Sequence, residues 1–165
     1  MNQSINSNSI LKKFTQRQVL FYFTTNVIIN ALVPYFGFDD LNTVYLFRGE
    51  HPVARFFLPM ALLLPLCITI DILNKTTTLL EKEQLVTSPP PKKVKIRFML
   101  KTASLNAIIT LFLTLAAMLG IHACLPENYS FNGILLSVLS GVLAGGMAIF
   151  FTLQPIHKVK KLYPH

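Results

Sequence analysis

Residues 135–153 read LLSVLSGVLAGGMAIFFTL. The stretch contains no charged side chain, and no face of it carries the polar stripe that a soluble bundle helix shows at a period near 3.6. Folded as a helix in water it would have no side to turn outward. A bilayer core, by contrast, takes about 20 mostly apolar residues in helical form, because the helix satisfies its own backbone N–H and C=O groups. The stretch therefore predicts a transmembrane helix from about Gly133 to Leu153.

Three more segments qualify, from about Val19 to Phe38, Phe56 to Leu73 and Thr102 to Leu125. None contains Lys or Arg, and Asp71 is the one acidic residue inside any of the four. Composition agrees: 52% of residues are hydrophobic and 13% charged, against about 25% charged in soluble domains, with a mean hydropathy of +0.52. That is too little charge to cover so much apolar surface in water. The expected fold class is all-α and integral to the membrane, with four transmembrane helices in one domain spanning residues 1–165.

The net charge of +8 is not spread over a face, as a nucleic-acid surface would need. Thirteen of the 15 basic residues lie in the N-terminal tail, the middle loop and the C-terminal tail, in blocks such as Lys12-Lys13, Lys92-Lys93 and Lys160-Lys161. Only Arg48 and Arg55 lie in the other two connections. No nucleic-acid partner is expected. By the positive-inside rule both termini and the middle loop face the cytoplasm, across the plasma (inner) membrane. The polar first eighteen residues and the full-length first span read as an uncleaved signal anchor.

The chain also resembles itself at an offset of 80 residues. KKFTQRQVLFYFTTNVIIN (12–30) aligns without gaps on KKVKIRFMLKTASLNAIIT (92–110), with seven of 19 positions identical. Shared hydrophobicity does not explain the Lys-Lys-x-x-x-Arg match or the pairing of Asn26 with Asn106. With a shift of three, Thr69 and Lys75 fall on Thr152 and Lys158. The expectation is a tandem parallel repeat of two helical hairpins, about 12–80 and 92–165, joined by a Pro-rich cytoplasmic segment at about 81–91 and related by an axis along the membrane normal.

Candidate functional residues are the polar and small ones inside the spans. Asn26 and Asn30 share a helical face; Asn106 repeats the first, and Thr110 stands where Asn30 would be. With Asp71 they form a candidate polar seam: either glue between helices or the lining of a path for a small solute or ion. Asp71, near Asn74 and Lys75, is expected at the cytoplasmic interface, paired with Lys75 or Arg97. Ser137, Gly141 and Gly145, four apart, make a small-residue ridge that fits close helix packing, on the third helix or in a homodimer. Pro65 is expected to kink the second span, freeing the carbonyl near Ala61.

Other chemistry is thinly represented. Cys67 and Cys124 fall at different depths, which argues against a bridge, and read as small buried apolar side chains. His51 and His122 share an outer depth but nothing else that would make a haem or metal site. No metal, cofactor or catalytic residue is expected. LNTVYLF (41–47) is apolar enough to lie along the interface, and TTTLLEKEQLV (76–86) to add a short helix on the cytoplasmic surface. Four spans are shared with the quinone-linked disulfide oxidases and the small multidrug transporters. The paired cysteines of the first are missing, as is the acidic residue in the first span of the second.

Three functions follow, with transport expected ahead of an accessory role. Transport or permeation of a small solute or ion by a homodimer is favoured by the repeat, the seam and the kinked span. An accessory or assembly subunit of a larger membrane complex is favoured by the small loops and the glycine ridge. A lipid- or quinone-linked membrane enzyme comes last, for want of facing catalytic groups. Beyond the lipid bilayer itself, no partner is named by the sequence.

Overall fold

The computed structural model describes residues 2–83, 91–126 and 129–162, with side chains described over 9–83, 91–126 and 129–159. It is all-helical, with four helices long and apolar enough to cross a membrane: α1 (Asn2–Gly37), α2 (Val53–Lys82), α3 (Lys92–Cys124) and α4 (Gly133–Leu162). At 30 to 36 residues each they run roughly 45–54 Å at 1.5 Å per residue, well beyond the ~30 Å of a hydrocarbon core. The excess is basic sequence. Lys12, Lys13 and Arg17 extend α1, and Lys92 to Lys101 open α3, so the charged blocks are helical continuations of the spans rather than loops. The separate surface helix expected from Thr76 onward does not form, because Thr76 to Lys82 continue α2 in line. The end of that segment and most of the Pro-rich joint, at 84–90, lie outside the described residues.

Pro34, Pro59, Pro65 and Pro155 all lie inside helices, and α2 continues through two of them. Each removes one N–H and leaves a carbonyl one turn earlier without its helical donor. Pro34, Pro65 and Pro155 are fully buried, so their rings pack inside the protein.

The packing order differs from the chain order. α1 lies along α4, α3 lies along α2, and α2 and α4 meet at the centre, whereas α1 and α2 touch at few points. The inner and outer pairs show it in their burial: half of the apolar window of α2 and 44% of that of α4 lie inside the protein, against 6% for α1 and 11% for α3. The outer helices turn Leu20, Phe21, Phe112 and Leu113 outward, as helices do where lipid is the solvent. Ile72, Ala144 and Ala148 are fully enclosed in the central core. Leu73, Leu80 and Val159 pack with Phe98 and Met99 at the basic end, where Lys95 Nζ reaches Glu81 Oε1 at 3.1 Å and ties α3 to α2.

At the opposite end the two connections pair. Val44 and Phe131 form an isolated antiparallel bridge, with N–H···O distances of 3.0 and 2.7 Å. Gly133 donates to the carbonyl of Leu41 at 2.7 Å, and a Cβ on it would stand 3.0 Å from Leu41 Cα. The segment LNTVYLF does not simply lie on the interface. Val44 and Leu46 turn inward and are buried, while Tyr45 stays exposed, because the bridge to Phe131 fixes which side faces the helices.

Candidate functional site

The small-residue ridge of α4 seats α1, not α3. A Cβ on Gly141 would lie 2.8 Å from the Val27 carbonyl oxygen and 2.9 Å from Ala31 Cβ; one on Gly145 would lie 2.5 Å from Val27 Cγ2 and 2.9 Å from Phe23. Both glycines are needed for the approach of backbone to backbone, which is how membrane helices gain dispersion energy without a hydrophobic drive between them. Ser137, 2% exposed, donates to the Gly133 carbonyl at 2.7 Å within its own helix. The small stripe of α3 is used elsewhere: Ala103 and Ala107 are buried, and the helix that α3 lies along is α2.

The polar residues of the spans separate into three groups. In the first, Asn106 is 5% exposed; its Nδ2 donates to Gln154 Oε1 at 2.8 Å and to Thr69 Oγ1 at 3.1 Å, and Gln154 Nε2 donates back to Asn106 Oδ1 at 3.1 Å. Three helices, α3, α2 and α4, are joined by one pair of amides. An unpaired amide in an apolar interior costs several kcal/mol by rough transfer estimates, so reciprocal pairing is the low-energy way to bury two. Gln154 went unnoticed as a site residue because it follows the last apolar residue of the fourth span. A polar residue just before Pro155, in a helix that does not stop there, was the available signal.

The second group is Asn26 and Asn30. Asn26 Nδ2 donates to the Tyr22 carbonyl at 2.8 Å and Asn30 Nδ2 to the Asn26 carbonyl at 2.9 Å. Thr110 likewise donates to the Asn106 carbonyl at 2.8 Å. These bonds stay within one helix. The five seam candidates are therefore not brought together: α1 carries Asn26 and Asn30 against α4, while α3 carries Asn106 against α2.

The third group surrounds Asp71. Tyr22 of α1 donates its hydroxyl to Asp71 Oδ2. Lys75 Nζ lies 2.6 Å from the same oxygen and 3.1 Å from the Tyr22 hydroxyl, and 5.4 Å from the centre of the Tyr22 ring. Of the two partners expected for Asp71, Lys75 is the one in contact. Both charged side chains keep more than two-fifths of their surface exposed, so the pair sits at an edge of the protein.

His51 and His122 do not converge. His122 packs its ring edge-on to Phe47 at 5.4 Å, whereas His51 Nδ1 lies 2.5 Å from Asp39 Oδ2. Asp39, Glu50 and His51 bring three donor atoms within 4.8 Å of one another on the solvent side of the first connection. That grouping was not legible from their spacing. Cys67 and Cys124 are both free and both exposed, so neither fills the core as expected; Cys67 is on the outward side of α2.

No family model, curated protein or solved structure matches the chain. The functional reading rests on geometry.

Proposed function

We propose that this membrane protein is a non-catalytic accessory or assembly subunit of a larger membrane complex. The observation that supports it is the reciprocal Asn106–Gln154 pair with Thr69. A path for a solute needs polar groups that exchange partners as the solute passes. Here the amides are committed to one another across three helices, and Asn26 and Asn30 are committed to their own backbone. Such bonds hold a bundle together, at about 1 kcal/mol per contact in membranes. The outer faces of α1 and α3 supply long apolar surfaces for neighbouring subunits or lipid.

The membrane is read as the plasma (inner) membrane, with both termini cytoplasmic. In support, the starts of α1 and α3 and the ends of α2 and α4, which carry most of the basic residues, gather at one end of the bundle. The two halves are read as a duplicated hairpin. In support, each outer helix packs along the inner helix of the other half, an arrangement that returns to itself when the halves are exchanged.

Permeation of a small solute or ion is the second reading, and the Tyr22–Asp71–Lys75 cluster is what favours it, as an ionisable group inside a span. Native mass spectrometry of protein released from native membranes separates the two. A stoichiometric foreign subunit is the expected result. A homodimer carrying only lipid, together with solute flux in liposomes that Asp71→Asn abolishes, would replace the accessory reading with the transport one.

A further inference from the structure

Where α1 and α2 leave the apolar spans at the basic end, an open groove runs between them, lined by Lys13, Arg17, Gln18, Lys75, Thr78 and Lys82, with Phe14 and Leu79 as its apolar part. No carboxylate lines it. Asp71 is paired with Lys75 and Glu81 with Lys95, and Glu83, next to Lys82 in the chain, does not line the groove. Among the described residues Lys13, Arg17 and Lys82 have no ion-pair partner, so three cations face one opening uncompensated. Because α1 and α2 touch at few points, the groove is not closed off from the spans beneath it.

We propose that this groove binds the phosphate of an anionic phospholipid, with Lys13, Arg17 and Lys82 around the headgroup and the acyl chains descending beside α1 and α2. Charge complementarity selects the headgroup. A guanidinium and two ammonium groups around one opening suit a phosphate. Depth selects a lipid over a soluble anion. Arg17 and Lys13 stand about half a turn and under two turns beyond Val19 on α1, and Lys82 stands about two and a half turns beyond Leu73 on α2, on the headgroup side of the spans, and basic grooves between spans at that level are where acidic lipid headgroups are held. Phe14 and Leu79 give the glycerol and upper acyl region an apolar wall that a free phosphate would not use. The pair of cations recurs in the sequence 80 residues on: Lys93 and Arg97 stand where Lys13 and Arg17 do, on an open face of α3 with Ile96, Leu100, Lys101 and Ser104.

The test reconstitutes full-length protein in vesicles of equal parts phosphatidylglycerol and phosphatidylcholine, extracts it in mild detergent, and quantifies the lipid that stays bound. The wild type should retain phosphatidylglycerol over phosphatidylcholine. Arg17→Gln/Lys82→Gln should lower that preference by about tenfold or more, on the scale of two basic residues at a charged membrane surface. Lys12→Gln/Lys92→Gln removes the same charge from exposed positions outside the groove and should keep the preference. Equal loss in both double variants would mean diffuse attraction and overturn the site, as would the absence of any preference in the wild type. In lipid-free detergent, inorganic phosphate that binds with the same dependence on Arg17 and Lys82 would make the ligand a soluble anion and overturn the lipid assignment. Helicity by circular dichroism checks that both variants fold, and Arg17→Lys, which keeps the charge, should retain most of the preference if either does not.

Discussion

Ser140 and Met60 stand 80 residues apart in the chain and meet in the middle of the bundle, the Ser140 hydroxyl 3.7 Å from Met60 Sδ. Both are buried, at 1% and 9% exposure, where α2 crosses α4. Overfilling this point should be costly. Ser140→Leu is expected to destabilise the bundle by about 1–3 kcal/mol, the usual range for overpacking, read as a lower thermal midpoint in detergent. An unchanged midpoint would mean that α2 and α4 do not pack tightly here.

The glycine ridge predicts a fold effect before any effect on a partner. Gly141→Leu with Gly145→Leu drives side chains into the Val27 carbonyl and into Phe23, and the rigid backbone of α1 has to move away. Gly141→Leu or Gly145→Leu alone should lower the thermal midpoint in detergent, whereas Gly146→Leu, beside open space, should leave it nearly unchanged; equal midpoints for all three would mean that the ridge does not seat α1.

The two asparagines that align in sequence should behave differently. Asn106→Leu strands Gln154 and removes a bond to Thr69, so a loss of about 1–3 kcal/mol is expected for a buried group left unsatisfied. Asn26→Leu breaks only a bond to its own helix, whose carbonyl already has a backbone donor, and should change the thermal midpoint by much less. Equal effects from the two would contradict the separation of α1 from the α2–α3–α4 network.

Asp40 lies outside the spans, in the connection between α1 and α2. The Thr43 hydroxyl donates to Oδ2 at 2.5 Å and the Asn42 N–H to Oδ1 at 2.8 Å, and these bonds, Thr43 first, hold its pKa below the usual carboxylate value. A depressed folded-state pKa contributes stability that is present above the unfolded pKa and lost as pH falls through the folded one. Thr43→Val should therefore raise the Asp40 pKa toward its ordinary value, and carboxyl-carbon NMR titration would detect the shift. A titration curve that does not move would mean that Thr43 is not the main cause.

Topology can be read from the native thiols. Cys124 is exposed at the C-terminal end of α3, away from the basic end, and Cys67 lies within the apolar part of α2. A membrane-impermeant maleimide added to intact cells should label Cys124 and leave Cys67 untouched. Labelling of Cys124 only after permeabilisation would reverse the proposed orientation.

Several features were legible residue by residue. LLSVLSGVLAGGMAIFFTL and its three counterparts gave the spans because lipid compatibility is a local property: each segment has to satisfy its own backbone and expose no charge, whatever its neighbours do. Lys75 was legible as one of two partners for Asp71, being one turn away on the same helix, but choosing it over Arg97 took the structure. Gly141 and Gly145 were legible as a packing face. Their partner was not, because in a membrane both outer helices are apolar all round and no polar stripe marks the side that turns inward.

What the sequence by itself determined is therefore a membrane protein of four helices, with its basic residues concentrated at one end. Only the tertiary structure decided that α1 lies on α4 and α3 on α2, and that choice separates Asn26 from Asn106 while joining Asn106 to Gln154. The reason is physical: burial against lipid and burial against protein select the same residue types, and what distinguishes them is shape and hydrogen-bond matching between segments far apart in the chain.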